Sequence, residues 1–129
     1  MATEILVNDG GAPARILPFT AGSAVTGGRL VAIASDGKVD HAASGATNAL
    51  GVAFTDAGSA DGEAMSVITG KGVILNVSCS GTFDIGQALT VENAGTGLLT
   101  SGTSNLYAVA LHAGSSTAST GSLGKVLMY

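Results

Sequence analysis

The stretch SGATNALGVA, residues 44–53, returns as SGTSNLYAVA at residues 101–110. The offset between the two copies is 57 residues, from position 45 to position 102. Upstream, GRLVAI at residues 28–33 is matched by GQALTV at residues 86–91, with an offset of 58. The repeated blocks are small, apolar and punctuated by glycine, and no set of residues that could perform chemistry is repeated. The sequence therefore indicates an internal duplication selected for a shape and a surface.

The composition of the 129-residue chain is typical of one domain built from short strands. Apolar residues make up 46%, which excludes intrinsic disorder, and charged residues only 11%, against about 25% in an average soluble domain. The 20 glycines favour tight turns, since glycine inside a helix costs about 1 kcal/mol relative to alanine. A single domain over residues 1–129 with an all-β fold is the prediction.

Turn signals divide this domain into about eight short strands, as in a barrel or a sandwich. Asp36-Gly37 is a strong hairpin signal, and Val73–Cys79 alternates apolar and polar positions. We predict an extended N-terminal arm over residues 1–15, a first repeat over residues 28–80 and a second repeat over residues 86–129. For residues 13–27 a short helix and an extended connection stay open.

Charge and hydropathy restrict the partners. The net charge is −4 and the five basic residues are scattered, which argues against nucleic acid. No apolar run is long enough for a membrane span. The segment Met1–Asp9 lacks the basic start and apolar core of a signal peptide, so we expect synthesis and folding in a cytoplasm. A surface with so few charges predicts self-association.

No motif in the chain predicts catalysis, a cofactor or a metal ion. The Gly-x-Ser-x-Gly elbow of hydrolases does not occur, and the isolated residues His41, His112 and Cys79 lack the spacing of metal ligands. A calcium loop over Asp56–Glu63 is less favoured than a solvated turn, because the EF-hand spacing is absent. The lysine in Gly70-Lys71-Gly72 lacks the rest of a phosphate-binding loop.

The segments LGVAFTDA at residues 50–57 and GEAMSVITGKGV at residues 62–73 stand out within the repeats. In these segments, and over about residues 21–129, the chain resembles the capsid-cement or head-decoration proteins of tailed bacteriophages. The resemblance implies a compact β-barrel of the β-tulip or β-clip kind, made of short antiparallel strands. It also implies a homotrimer that binds the major capsid protein on the outer surface of an expanded shell and stabilises that shell.

The resemblance also implies that the N-terminal arm becomes ordered on the capsid by adding a strand. The predicted capsid-contact residues are Thr3, Glu4, Ile5, Leu6 and Val7. The alternative is that Ile5-Leu6-Val7 forms an edge strand of its own domain. If the arm binds the capsid, deletion of residues 1–8 should weaken binding and leave the fold intact.

The sequence thus predicts a non-enzymatic structural protein of the virion, without cofactor, metal, nucleic acid or membrane. One alternative is another structural β-module of a phage tail, fibre or surface assembly. A less favoured alternative is a trimeric nucleotide hydrolase of the β-clip type. That enzyme would need aspartate, arginine and tyrosine clustered around glycine-rich loops, whereas Arg15 and Arg29 lie in no such cluster.

Overall fold

The computed structural model describes residues 5–8, 15–43, 48–57, 62–69, 72–92, 95–103, 106–112 and 122–128. Within these ranges the chain forms strands and no helix, and so no helix fit to cross a membrane. The strands are β1 Leu6–Asn8, β2 Arg15–Thr20, β3 Leu30–Ile33, β4 Val39–His41, β5 Ala49–Ala53, β6 Ala64–Thr69, β7 Ile74–Cys79, β8 Ala88–Val91, β9 Leu99–Ser101, β10 Ala108–Ala110 and β11 Ser122–Met128. The predicted all-β class is confirmed.

The first five-stranded sheet closes on itself. Its order is β2-β6-β5-β3-β4, and all four neighbouring pairs are antiparallel. A parallel bridge between Ala21, directly after β2, and Val39 of β4 joins the two outer strands. We call this ring the first barrel.

The second sheet closes in the same way and carries one additional strand. Its order is β1-β7-β11-β10-β8-β9, and a parallel pairing of Cys79 with Leu99 joins β7 to β9. The strands β7 to β11 therefore form a second ring, which we call the second barrel. The additional strand β1 pairs antiparallel with β7, with Leu6 opposite Leu75.

The two barrels are copies of one design, with β2 to β6 corresponding to β7 to β11 in chain order. The amide of Gly28 donates to the carbonyl of Ala53, and the amide of Gly86 donates to the carbonyl of Ala110, both at 2.8 Å. Gly28 has φ 88° and Gly86 has φ 89°, a backbone conformation that favours glycine. The internal duplication therefore extends from the sequence to individual backbone hydrogen bonds.

The strand pairing divides the chain at a different place from the predicted repeats over 28–80 and 86–129. The strand β7 pairs with β11 over six residues and belongs to the second barrel. The strand β2, which spans the end of the predicted arm and the open connection, belongs to the first barrel. The alternation of apolar and polar residues predicts that β7 is a strand but does not predict its partner strand. The sequence-based prediction assigns β7 to the first repeat only because β7 follows β6 along the chain.

Two groups of buried side chains fill the interior. One fills the first barrel: Ala21, Val25, Val31, Val39, Ala53, Ala57, Met65 and Val67. The other fills the second barrel and continues into the outer side of the first, because Leu30, Val52 and Ile68 are members of it. Strands β3, β5 and β6 thus bury neighbouring residues on both faces, which is possible only because the second barrel covers the outer face.

A hairpin of the second barrel also crosses to the first. The amide of Leu30 donates to the carbonyl of Gly97 at 2.9 Å, and the amide of Gly97 donates to the carbonyl of Ala42 at 3.1 Å. The guanidinium of Arg29 donates to the carbonyl of Thr96 at 3.3 Å. Backbone bonds as well as apolar packing therefore hold the barrels together.

Candidate interaction surfaces

The described part of the N-terminal arm is bound to its own chain. Ile5 is 5% exposed and belongs to the core group of the second barrel. Its carbonyl accepts a hydrogen bond from the amide of Asn76 at 2.7 Å. Of the predicted capsid-contact residues, Leu6 and Val7 lie in β1, whereas Thr3 and Glu4 lie outside the described residues. The strand β1 is therefore an edge strand of this domain, and capsid contact by the predicted residues stays a prediction.

This placement changes the expected effect of removing the arm. Deletion of residues 1–8 takes a buried isoleucine out of the core and exposes an edge of β7. We therefore expect such a deletion to destabilise the domain rather than to leave the fold intact, because the arm is part of the packed core.

The imidazole of His41 forms a hydrogen bond with the backbone. Its Nε2 accepts a hydrogen bond from the amide of Thr26 at 3.0 Å, which requires the neutral form. Burial lowers the pKa of His41, the positive charge of Arg29 lowers it further, and Asp40 opposes them. His41 is therefore a neutral structural histidine at pH 7.

A shallow depression lies beside this histidine. Its polar lining residues are Asp40, His41 and Asn48. Asp40 accepts from the hydroxyl of Ser23 at 2.6 Å, and Asn48 donates to the carbonyl of Ile33. Because each polar group bonds the chain itself, the depression offers no set of groups that converges on a ligand.

The other candidate residues also have structural roles. Burial raises the pKa of the Cys79 thiol to about 12, so the sulfur stays protonated and unreactive. His112 packs edge-on against Phe83 with ring centroids 5.2 Å apart, and its Nδ1 lies 2.9 Å from the carbonyl oxygen of Lys125. Neither residue is placed to act on a substrate.

The carboxylates do not converge either. Asp56 accepts from the amide of Gly27 at 2.6 Å, and Asp61 lies outside the described residues. Glu92 is held by the hydroxyls of Ser80 and Thr96. Across the described ranges, no three histidine, cysteine, aspartate or glutamate side chains form a group that could hold a metal ion.

Exposed apolar side chains are the feature that does stand out. Ile16 is 47% exposed and Leu17 is 37% exposed, both on β2. Ile85 is 68% exposed and Leu111 is 37% exposed, and the hydrogen bond between Gly86 and Ala110 brings their segments together. Exposed large apolar side chains that lie close together are candidates for an interaction surface.

No family model matches the sequence, and none of the curated proteins matches it. Among solved structures, the chain is similar to the N base of the head fibre protein gp8.5 of bacteriophage phi29. The two share 21% sequence identity and a TM-score of 0.65, over 91% of this chain and 95% of that chain. The chain shares that fold. The likeness covers both barrels, because nearly the whole of each chain is aligned.

Sequence reasoning finds the strand at Ile5-Leu6-Val7 but misses the two places where apolar side chains are exposed. The repeat itself carries a signal for Ile85 but none for Leu111, since only Ile85 replaces a small residue of the first copy. Ile85 stands where the first repeat has Gly27, and Leu111 stands where it has Phe54. A large apolar side chain in a glycine-rich loop of the second copy therefore marks the site, although its exposure becomes visible only in three dimensions.

Proposed function

We propose that this chain is a structural, non-enzymatic protein of a phage virion that binds the outer surface of the capsid as a homotrimer and stabilises the expanded shell. The observation that carries the proposal is the shared fold, over nearly its full length, with the base of a phage head fibre. The chemistry of the described residues agrees with it, since their polar side chains serve turns and seams between strands rather than a common site.

The proposed contact with the major capsid protein uses the arm. The strand β1 pairs with β7 along one edge and is the outermost strand of its sheet. Its other edge can therefore accept a strand from a capsid subunit through main-chain hydrogen bonds. Ile5 anchors β1 in the core, and residues 3–7 provide the contact. Three copies per assembly would strengthen a weak contact through multivalency.

The fold neighbour gives a second candidate its own support, because that protein is the base of a fibre. In that role the chain would attach a fibre to the capsid. Both candidate functions place the chain on the capsid surface, but a cement protein stabilises the shell whereas a fibre base attaches a fibre to it. Shell stability separates them, because a cement protein raises the temperature at which expanded shells fall apart and a fibre base leaves it unchanged.

Co-sedimentation with shells tests the proposal. The shells are assembled from the major capsid protein encoded nearest to the gene for this chain, in unexpanded and expanded forms. We expect the purified chain to sediment with expanded shells and to stay in solution with unexpanded ones. A chain that stays in solution with both forms contradicts capsid binding. Incubation with nucleoside triphosphates tests the hydrolase alternative, and phosphate release that depends on the protein would contradict the non-enzymatic assignment.

A further inference from the structure

Within one chain, the first barrel sits on the second through a defined pair of surfaces. On the side of the second barrel, the amide of Ser78 on the outer edge of β7 donates to the carbonyl of Gly28 at 2.7 Å. On the side of the first barrel, the surface consists of Gly28 and the side chains around it. These side chains are Leu30, Val52 and Ile68, all buried, and the partly buried Phe54. We call this surface the seat face, and we call the receiving surface on β7 the edge.

The second barrel repeats the seat face, and no described part of the chain covers it fully. Gly86 takes the place of Gly28, as its hydrogen bond and φ angle show. The strand registers give the remaining equivalents, which are all apolar: Ala88 for Leu30, Val109 for Val52, Leu127 for Ile68 and Leu111 for Phe54. None of them is fully buried, and Ile85 beside them is 68% exposed. Outward positions of a solvated sheet normally carry polar residues, so this face is built to be covered.

The first barrel repeats the edge, and no strand of the described ranges pairs with it. The strand β2 corresponds to β7, and Thr20 corresponds to Ser78. Among the described strands β2 pairs with β6 alone, apart from the bridge at Ala21. The amide of Ala21 donates to the carbonyl of Glu63, on the side of β6. Because successive amides of a strand point to opposite sides, the amide of Thr20 points away from β6. Ile16 is 47% exposed on the same strand.

One substitution between the copies indicates what covers this edge. On β7, the amide of Asn76 binds the arm and the amide of Ser78 binds the other barrel. The residue that corresponds to Asn76 on β2 is Pro18, which has no amide hydrogen to donate. The edge of β2 has thus lost the donor that an added strand like β1 uses. It keeps, at Thr20, the donor that a seated barrel uses.

We propose that chains associate head to tail, with the seat face of the second barrel of one copy on the β2 edge of the first barrel of the next. The amide of Thr20 in one copy then donates to the carbonyl of Gly86 in the other, as Ser78 does to Gly28 within one chain. Ile85 and Leu111 of one copy pack around Ile16 of the other. This proposal rests only on the self-association part of the proposed function and not on capsid binding.

The two surfaces differ, so the association is heterologous: copies form a closed ring or an open row. Of the four large apolar side chains that are exposed in the described part of the chain, Ile85 and Leu111 lie on the seat face of the second barrel. Ile16 lies on β2, and Leu17, the next residue, points to the opposite face of that strand. One contact between copies therefore covers three of the four, Ile16, Ile85 and Leu111, which lie on two different surfaces of the chain.

Sedimentation velocity with paired variants tests this arrangement. The seat variant carries Ile85→Asp and Leu111→Asp, and the edge variant carries Ile16→Asp. We expect the unaltered chain to associate as its concentration rises, and each variant to associate at least about tenfold more weakly, because a charge is then buried at the contact. The decisive sample is an equal mixture of the two variants. Each chain in it retains one intact surface, so we expect a species of two chains and nothing larger.

Circular dichroism and thermal unfolding of each variant check that the barrels remain folded. Should Ile16→Asp unfold the chain, Thr20→Pro serves as the edge variant, since it removes only the amide donor of an edge strand. The control is Ala24→Asp, which adds the same single charge as the edge variant at an exposed loop position outside both surfaces and should associate like the unaltered chain.

Four outcomes overturn the proposal: an unaltered chain that stays monomeric up to its solubility limit, single variants that associate normally, a mixture that stays monomeric, or a control that fails to associate. Capsid binding is measured separately, so chains that associate but do not bind shells refute the proposed function and leave this contact standing.

Discussion

The amide of Leu30 lies 2.9 Å from the carbonyl oxygen of Gly97, so a hairpin of the second barrel closes directly onto the first strand of the seat face. Gly97 has φ 71°, and a Cβ atom there would collide with the carbonyl oxygen of Leu30. The corresponding glycine of the first barrel, Gly37, has φ 79° and open space around it. The two glycines share a backbone conformation and differ in what surrounds them.

This difference predicts unequal effects of the same substitution. Gly37→Ala should lower the free energy of unfolding by about 1–2 kcal/mol, the cost of a left-handed alanine. Gly97→Ala adds a collision in the packed seam between the barrels, which costs about a further 1–3 kcal/mol. Urea unfolding of both variants measures the difference. Equal losses would mean that the hairpin at Gly97 contributes no tight contact between the barrels.

The neutral state of His41 predicts a loss of stability in mild acid. Burial lowers its pKa in the folded chain below the ordinary value of 6.5. As pH falls below 6.5, the unfolded chain takes up a proton on this residue before the folded chain does. The stabilisation is therefore complete well above pH 6.5 and is lost progressively below it, until the folded-state pKa is passed.

The measurement is the free energy of unfolding from about pH 7 to about pH 5, the range in which a histidine titrates. The matched variant is His41→Gln, which does not titrate in this range and can still accept from the amide of Thr26 through its side-chain oxygen. We expect the unaltered chain to lose stability more steeply than this variant. Parallel curves would contradict the assignment of the loss to His41.

The burial of Cys79 predicts a thiol that reports on unfolding. The side chain is 3% exposed and its pKa is raised to about 12. At about pH 8 the thiol is therefore inaccessible to reagents and remains protonated. We expect the folded chain to resist a disulfide reagent such as DTNB, and its reaction to follow the unfolding transition in urea. An exposed thiol made by Thr103→Cys should react at once under native conditions. Fast labelling of Cys79 itself would show that the second barrel opens locally.

The sequence predicts the strands better than it predicts their partners. The turn signals and alternation predict strands over residues 30–34, 38–42, 63–69, 73–79 and 88–91. The strand β8 occupies residues 88–91 as predicted, and β3, β4, β6 and β7 lie within one residue at each end of their predicted ranges. Turn residues and alternation are local signals, and they suffice for this. The strand β2 escapes prediction because RILPFT has a proline and no clean alternation. The pairing of β7 with β11 is decided by contacts far apart in sequence, which no local pattern encodes.

The seat face and its counterpart on the second barrel show the same limit of sequence-based prediction at single residues. Val52 and Val109 are the same amino acid at corresponding positions of β5 and β10, in the similar strings LGVA and YAVA. Val52 is fully buried because the second barrel covers it, whereas Val109 is partly exposed. A duplicated sequence therefore predicts where apolar faces recur. Which copy of a face is covered within the chain depends on the order in which the barrels pack.

The arm gives the last prediction, since its isoleucine belongs to the core. Ile5→Ala should lower the free energy of unfolding by about 2–4 kcal/mol, because it leaves a cavity under β7. The matched control is Ile85→Ala, which removes the same atoms from a side chain that is 68% exposed and should change stability by less than about 0.5 kcal/mol. Both are measured by urea unfolding in dilute solution, where chains do not associate. If Ile5→Ala were as mild as the control, the arm would be only loosely held on β7 and free to leave it for a partner.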